Sequence, residues 1–125
     1  MHLAAASENL DIVCFLRGMG AQIDAIDGKS GRTALHLAVE ANNFNVVQYL
    51  INLGANINAV TFDYCTALHL AVGRGLQRIM LLLLQHGADI NALNSEGLSA
   101  AELANNPHTT LFLEHQPEYN DFQLN

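Results

Sequence analysis

A six-residue phrase occurs twice in this 125-residue chain, and the two copies lie 33 residues apart. The phrase, Thr-Ala-Leu-His-Leu-Ala, fills residues 33–38 and again residues 66–71. Self-similarity at a period of about 20–50 residues is the sequence signature of stacked supersecondary units. Because one such unit cannot bury its own apolar face, its neighbours must pack against it. The chain is therefore predicted to form a linear array of repeated units.

A second landmark repeats in the same register as the first. Gly-Ala pairs begin at residues 20, 54 and 87, and an Ile-Asp-Ala or Ile-Asn-Ala triplet follows at residues 23, 57 and 90. Partial copies of the first phrase at residues 2–4 and 99–104 extend the register in both directions. Two independent landmarks that stay in step make a chance repeat a poor explanation.

Each unit carries the signals of two helices. Thr33, Thr66 and Ser99 suit N-caps, because their hydroxyl oxygens accept hydrogen bonds from free backbone N–H groups. A glycine, which tolerates the left-handed conformation that ends many helices, follows each second helix. We expect short first helices over about 33–41 and 66–74, and second helices over about 10–19, 44–53 and 77–86.

Apolar residues recur at helical spacing within the second helices. The two clearest stripes are Val46, Val47, Leu50 and Ile51, and then Ile79, Met80, Leu83 and Leu84. We interpret these stripes as packing surface that neighbouring units bury, rather than as the lining of a cofactor pocket. No cofactor is expected.

The T-x-L-H-x-A phrase at this period resembles the ankyrin repeat. The resemblance implies an all-α fold, a solenoid of stacked helix-turn-helix units with short β-hairpin fingers. It implies an ankyrin-repeat domain over residues 1–115, in units of about 1–31, 32–64, 65–97 and 98–115, and then a short acidic tail over residues 116–125. The first unit lacks its opening phrase, so self-association through this incomplete unit is a further expectation. Pro107 makes the last unit irregular.

The charge balance bears on the kind of partner. Twelve Asp and Glu residues against five Lys and Arg residues give a net charge of −7. Such a surface repels phosphate backbones, so direct nucleic-acid binding is disfavoured, and a basic protein surface is favoured instead. The longest apolar run, residues 79–84, is far shorter than the roughly 20 residues that a membrane helix needs.

The two cysteines indicate a compartment. Cys14 and Cys65 occupy non-equivalent positions of different units, and two thiols do not make a disulfide framework. Reduced cysteines are typical of the cytosol and the nucleus. We therefore expect a cytoplasmic protein, with the nucleus as a second location.

The histidines suggest a metal site, but a structural role is favoured. His36 and His69 occupy the same position of successive units. Stacked helices lie about 8–10 Å apart, whereas zinc needs its ligand nitrogens at about 2 Å. We expect each ring to bond a backbone or threonine oxygen between units. The sequence has no nucleophile elbow, phosphate-binding loop or supported Cys–His pair, so neither a metal site nor an enzyme is predicted.

A finer resemblance depends on the stretch Gly28–Glu40, which has the sequence G-K-S-G-R-T-A-L-H-L-A-V-E. This stretch resembles the mid-array repeat of the IκB family, and so do Val60–Asp63 and Gly73–Gly75. The matching region runs from about Asp24 to Asn91. The family includes free inhibitors, the insect Cactus type, and the ankyrin halves of NF-κB precursors such as the Relish type.

The IκB resemblance implies a non-catalytic inhibitor. Such an array binds a Rel/NF-κB dimer and covers its basic nuclear-import segment, which blocks nuclear entry or DNA binding. An acidic array suits a basic segment, in agreement with the net charge. Carried over by position, the candidate contact residues of the fingers are Asp27, Lys29, Phe62, Asp63 and Tyr64, and those of the inner helices are Glu40, Asn42 and Arg74.

Three departures from the IκB pattern bear on regulation. The array has about four units, fewer than is usual in the family, the sequence has no D-S-G-x-x-S degradation signal, and the acidic tail is short. These departures resemble the shortened IκB-like ankyrin proteins of insect-infecting viruses, and they imply a constitutive inhibitor. A piece of a longer array fits the same observations. The alternative functions are an ankyrin scaffold or adaptor with an unrelated client, and a regulator of an enzyme.

Two features of the predicted fingers leave alternatives open. Phe62 and Tyr64 either contact a partner, as aromatic interface hot spots do, or pack on the next finger. Tyr64 also stands where ankyrin units usually have glycine. Asn58 and Asn91 lie at a position that resembles the target of ankyrin-directed asparaginyl hydroxylases, although an asparagine that bonds its own turn is favoured.

Overall fold

The computed structural model describes residues 22–104. Several predictions fall outside these residues. They concern the helix over about 10–19, the opening of the first unit and its self-association, Cys14, Pro107 and the tail over 116–125. The division of the chain into four units and a tail stays a prediction.

Four α-helices form two helix-turn-helix pairs in the described region. They are α1, Ala34–Glu40; α2, Phe44–Asn52; α3, Ala67–Gly73; and α4, Gln77–Gln85. A short 3-10 helix, Ala101–Leu103, follows them. Each α-helix begins and ends within one residue of its predicted bounds. The first helices α1 and α3 pack on each other, and so do the second helices α2 and α4, so the two pairs stack as the repeat requires.

Each first helix begins with the same hydrogen-bonded box. Thr33 is the N-cap of α1, and its Oγ1 accepts a hydrogen bond from the backbone N–H of His36 at 3.3 Å. In return, the N–H of Thr33 donates to Nδ1 of His36 at 3.1 Å. Thr66 and His69 form the same box at the start of α3. Histidine takes the place that Glu or Gln usually has in a capping box, so the Thr-x-x-His spacing itself starts the helix.

The other nitrogen of each histidine ring connects its unit to the next. Nε2 of His36 lies 3.1 Å from the carbonyl oxygen of Cys65, and Nε2 of His69 lies 3.0 Å from that of Leu98. Because Nδ1 accepts the threonine N–H, the ring proton is on Nε2, which donates to the carbonyl. Both histidines are buried. The predicted bonding of these rings between units is confirmed.

The apolar stripes of the second helices are buried, as predicted. The members that are at most 1% exposed are Val46, Val47, Leu50, Ile79, Met80 and Leu83. Ile51 and Leu84 pack against this core with partial exposure. Burying one such side chain stabilises the fold by about 1.5–3 kcal/mol, so each helix pair depends on its neighbour for stability.

The fourth first-helix segment differs from the prediction, and Ser99 is not an N-cap. The 3-10 helix begins at Ala101, and no side chain caps it. Glu102 occupies the histidine position, and its carboxylate accepts the N–H of Ser99 at 3.1 Å. Only this half of the box forms, because the N–H of Glu102 donates to the carbonyl oxygen of Ser99 instead of its hydroxyl.

The segments between helix pairs form hairpin-like fingers. A backbone hydrogen bond of 3.0 Å, from N–H to carbonyl, closes each fingertip: Asp27 to Arg32, Thr61 to Cys65, and Asn94 to Leu98. A bond of 2.9 Å joins each finger to the preceding one: Phe62 to Ser30, and Ser95 to Asp63. Residues 22–104 contain no regular β-strand, so the predicted hairpins are hydrogen-bonded turns that lie side by side.

The buried ring of His36 makes the stability of the fold depend on pH. Burial lowers the pKa of His36 below its ordinary value of 6.5, because a charged ring is poorly solvated there. The unfolded chain then binds a proton more readily than the folded chain. This contribution to stability is complete above about pH 6.5 and is lost as the pH falls toward the lowered pKa. We expect the free energy of unfolding in urea to decrease from about pH 7.5 to 5.5.

The variant His36→Gln isolates this contribution. Glutamine retains the side-chain acceptor of the capping box but binds no proton in this range. The pH dependence should therefore become less steep, by up to about 1.4 kcal/mol for each pH unit. Equal slopes for the wild type and His36→Gln would contradict the role assigned to this ring.

Candidate protein-binding surface

The three fingertips share a residue in the left-handed backbone region. Gly31 (φ 74°), Tyr64 (φ 61°) and Gly97 (φ 77°) are spaced 33 residues apart and occupy equivalent positions. Glycine adopts this conformation readily, whereas a residue with a Cβ atom is strained there by about 1–2 kcal/mol. Tyr64 therefore stands at a position whose backbone favours glycine.

Burial of the side chain does not explain why a tyrosine occupies this position, because Tyr64 is 59% exposed. Its backbone is held by the fingertip, where its N–H donates to the carbonyl oxygen of Thr61 at 2.9 Å. Strained residues cluster at binding and switch sites. An exposed aromatic side chain on a strained backbone makes Tyr64 the strongest single candidate for contact with a partner.

Phe62 has one side of its ring against a neighbouring finger and the other in solvent. A Cβ atom built on Gly31 would lie 2.6 Å from Cδ1 of Phe62, so the ring lies directly over Gly31. The residue is nevertheless 57% exposed. Phe62 thus packs on the preceding finger, whereas the structural alternative was packing on the next finger. Its other side still presents an aromatic surface.

The carboxylate of Asp27 organises its own fingertip. Its Oδ1 accepts the N–H groups of Ser30 at 2.6 Å, Gly31 at 3.0 Å and Lys29 at 3.1 Å. The hydrogen bond from Ser30, above all, holds the pKa of the Asp27 carboxyl at about 2. Asp27 therefore has a structural role in the loop, and Lys29 and Asp63 are the exposed charged candidates of these two fingertips.

Glu40 and Arg74 lie together, across the boundary between two units. One oxygen of the Glu40 carboxylate pairs with Nε of Arg32, and the other lies 3.5 Å from Nη2 of Arg74. The side chain of Arg74 is 52% exposed, which leaves part of its guanidinium open to a partner. Partly exposed ion pairs contribute about 0–1 kcal/mol to the free energy of unfolding. The main effect of this cluster is therefore to orient the Arg32 and Arg74 side chains.

Asn42 lies in the turn between α1 and α2, and not within the inner helix where it was predicted. Its backbone has φ 55°, and Gly75 has φ 70° at the equivalent position of the next pair. Asparagine tolerates this region better than most other residues. The structure thus gives Asn42 a role in the turn and leaves its side chain exposed.

Asn58 connects successive fingers. Its Oδ1 accepts the N–H of Asp89 at 2.9 Å. Asp24 occupies the equivalent position in the preceding finger, and its Oδ1 accepts the N–H of Asn56 at 2.8 Å. The side chain at this position thus has a structural role, but it joins one unit to the next, whereas the favoured alternative was a bond to its own turn. Hydroxylation of either asparagine stays a prediction.

Residues 22–104 contain no group of three or more His, Cys, Asp and Glu residues placed to hold a metal ion. Both ring nitrogens of His36 and of His69 form hydrogen bonds within the protein. Burial raises the pKa of the Cys65 thiol, which makes it a poorer nucleophile. Among the helices of this region, none has the length and apolar character of a membrane span.

Sequence reasoning overlooked a column of exposed apolar residues on the fingers. Ile26, Val60 and Leu93 are 55%, 43% and 58% exposed. Each directly follows one of the aligned Ile-x-Ala triplets, so the three residues occupy the same position of successive fingers. We call these three residues the apolar column. The repeat register contained the signal, because one apolar position recurs in the three described fingers although each residue there is at least 43% exposed.

Stacked helix pairs that hold a row of fingers, with aromatic and apolar side chains exposed on them, define a repeat-built protein-interaction module. Residues 1–94 match the family described as "Ankyrin repeats (3 copies)". The chain belongs to the ankyrin-repeat family, whose domains are typically non-catalytic protein-binding modules. The predicted ankyrin fold is confirmed.

Solved structures extend the comparison. The chain is similar to the ankyrin repeat domain of Bcl-3, described as a unique member of the IκB protein family, with a TM-score of 0.86 and 38% identity. The match covers 90% of this chain and 50% of that chain, so this protein spans half the length of the Bcl-3 structure. In total 528 chains of solved structures match, and the fold alone therefore does not select a partner. A comparison with curated proteins found no significant match.

Two substitutions of Tyr64 separate backbone strain from the aromatic side chain. Tyr64→Gly and Tyr64→Ala both remove the ring, but only glycine relieves the left-handed strain. The free energy of unfolding should be higher for Tyr64→Gly than for Tyr64→Ala, by about 1 kcal/mol. Urea unfolding at neutral pH measures this difference. Two equally stable variants would show that the Tyr64 backbone is not strained.

Proposed function

We propose that this chain is an IκB-like inhibitor. In this proposal its ankyrin array binds a Rel/NF-κB dimer over the basic segment that directs nuclear import, and so blocks nuclear entry or DNA binding. The protein acts in the cytoplasm, and also in the nucleus when it meets the dimer there. The coarser statement, that the chain is a protein-binding ankyrin module, follows from its family.

The observation that carries this proposal is the aromatic and acidic character of the fingertips. Phe62 and Tyr64 flank Asp63, and all three residues are exposed. Aromatic residues that are rigid and accessible are enriched among interface hot spots. A carboxylate between two such rings suits a partner segment that combines basic and apolar groups.

Electrostatics supports a basic partner. The exposed acidic residues of the fingers are Asp24, Asp63, Asp89 and Glu96. Several cations are already engaged within the protein: Arg32 and Arg74 lie beside Glu40, and the Arg78 guanidinium lies 4.4 Å from the centre of the Phe44 ring. The exposed acidic residues of the fingers thus outnumber Lys29, the exposed cation of the first fingertip. Such a surface steers a basic segment into an encounter and suppresses acidic competitors.

The similarity to Bcl-3 supports the choice of client. The identity of 38% over 90% of this chain is accompanied by a TM-score of 0.86, and that protein is described as an IκB family member. If the client is a Rel dimer, binding would hide a basic segment from both the import machinery and DNA phosphates. One occupied surface would then account for both forms of inhibition.

The second candidate is an ankyrin scaffold or adaptor with an unrelated client. It is favoured by the large number of solved chains that share the fold, 528 in total. The two candidates differ in one observable, which is the direct binding of a purified Rel homology dimer.

We expect the purified chain to bind a Rel homology dimer at micromolar concentration or below, in biolayer interferometry at about physiological salt. Gly31→Ala should weaken this binding by about ten-fold or more, because the new Cβ displaces the Phe62 ring from its packing position against Gly31. The matched control is Gly97→Ala. It imposes the same left-handed strain, with φ 77° against 74°, but nothing lies within 4 Å of its new Cβ.

Three outcomes are informative. Weaker binding by Gly31→Ala alone supports the inhibitor and assigns Phe62 to the contact. Equal binding by both variants removes Phe62 from the contact. No binding of any Rel homology dimer by the wild type, at concentrations where the chain is folded, overturns the inhibitor and leaves the scaffold.

A further inference from the structure

We propose that the apolar column is a docking track for a polyproline II segment that carries an apolar side chain at every third residue and basic residues between them. The proposal depends on the proposed role of the fingers as the binding face, and it specifies the chemistry of the partner segment. It follows from the spacing of the column, its exposure, and the charges beside it.

The spacing of the column follows from how the fingers are built. Each finger contains two chain segments that are hydrogen-bonded to each other at the tip and to the neighbouring finger. These segments form no regular strand, but a backbone hydrogen bond holds neighbouring segments at about 4.8 Å. Two such spacings separate equivalent residues of successive fingers by about 9.6 Å. Ile26, Val60 and Leu93 therefore present three apolar side chains at steps of about 9.6 Å.

Among regular backbone conformations, polyproline II matches this step best. It places every third side chain on one face, about 9.3 Å apart. A β-strand repeats a face every second residue, about 6.6 Å apart. An α-helix returns to the same face only after seven residues, about 10.5 Å apart, and needs roughly 15 residues to contact all three positions. A seven-residue polyproline II segment contacts the same three positions.

Two further features of the fingers suit such a segment. Polyproline II segments dock on surfaces lined with aromatic side chains, and Phe62 and Tyr64 follow Val60 closely in the same finger with more than half of each residue exposed. Asp63 and Glu96 are exposed and occupy equivalent positions of two adjacent fingertips. Their two carboxylates are separated by one finger, the same spacing as in the apolar column, and can pair with basic side chains of the segment.

The probe is a fluorescent nine-residue peptide, K-L-P-K-L-P-K-L-P, in which leucine recurs at every third position. The first control has the same composition with its three leucines adjacent. The second is a helical peptide with leucine at every seventh position and lysine elsewhere on that face. In fluorescence anisotropy, the probe should bind the wild-type chain at least about ten-fold more tightly than either control. Equal or tighter binding of either control overturns the proposal.

The residues of the column are tested by the triple variant Ile26→Ser, Val60→Ser and Leu93→Ser. It should weaken probe binding by about ten-fold or more while the chain stays folded, because about half of each replaced residue is already exposed to solvent. The matched control is Leu81→Ser, which changes an apolar residue of α4 that is 44% exposed and should leave binding unchanged. Unchanged binding by the triple variant also overturns the proposal.

The same triple variant distinguishes this proposal from the proposed function. If it binds a Rel homology dimer as tightly as the wild type and the dimer does not compete with the probe, the inhibitor stands and the dimer does not use the track. If the probe requires the column but no Rel dimer binds, the track stands and the client is another protein.

Discussion

In each of the two described helix pairs, one imidazole ring satisfies two structural demands, and the stack depends on it. Nδ1 of His36 completes the cap of its own helix through Thr33, while Nε2 reaches the carbonyl oxygen of Cys65 in the next unit. Only a neutral ring with its proton on Nε2 serves both partners. Because His69 repeats the arrangement with Thr66 and Leu98, helix initiation and attachment to the neighbouring unit are performed by the same side chain.

This coupling aligns the fingers of successive units, so that equivalent finger residues form one continuous exposed surface. The carbonyl groups of Cys65 and Leu98, which accept these ring N–H groups, lie at the ends of two fingers. Backbone hydrogen bonds from Phe62 and Ser95 join the same two fingers to the preceding ones. Tyr64 therefore adopts the same left-handed backbone conformation as Gly31 and Gly97, despite its Cβ atom. An array that is rigid at its helices can hold an exposed, strained aromatic residue at its edge, and such preorganisation lowers the cost of binding.

The sequence predicted what depends on local spacing. The Thr-x-x-His distance set the helix starts, and the apolar stripes set the buried faces of α2 and α4. The sequence also showed that Tyr64 stands where ankyrin units usually have glycine, but its left-handed backbone came from the structure. The predictions were weaker where hydrogen-bond partners depend on the folded chain. Asp27 was chosen as a contact residue, yet its carboxylate is used by three N–H groups of its own loop. Ser99 was predicted to cap a helix, but its carbonyl competes with its hydroxyl for the same N–H.

The most direct test of the central claim is the stability of His36→Ala. The substitution leaves the buried N–H of Thr33 without its ring partner, and an unsatisfied buried group costs about 1–3 kcal/mol. The carbonyl oxygen of Cys65 keeps only its bond from the N–H of Thr61. We expect the free energy of unfolding to fall by at least about 2 kcal/mol. His86→Ala, at an exposed histidine, should change it by less than about 0.5 kcal/mol. If the two variants are equally stable, the histidine ring does not hold the stack together.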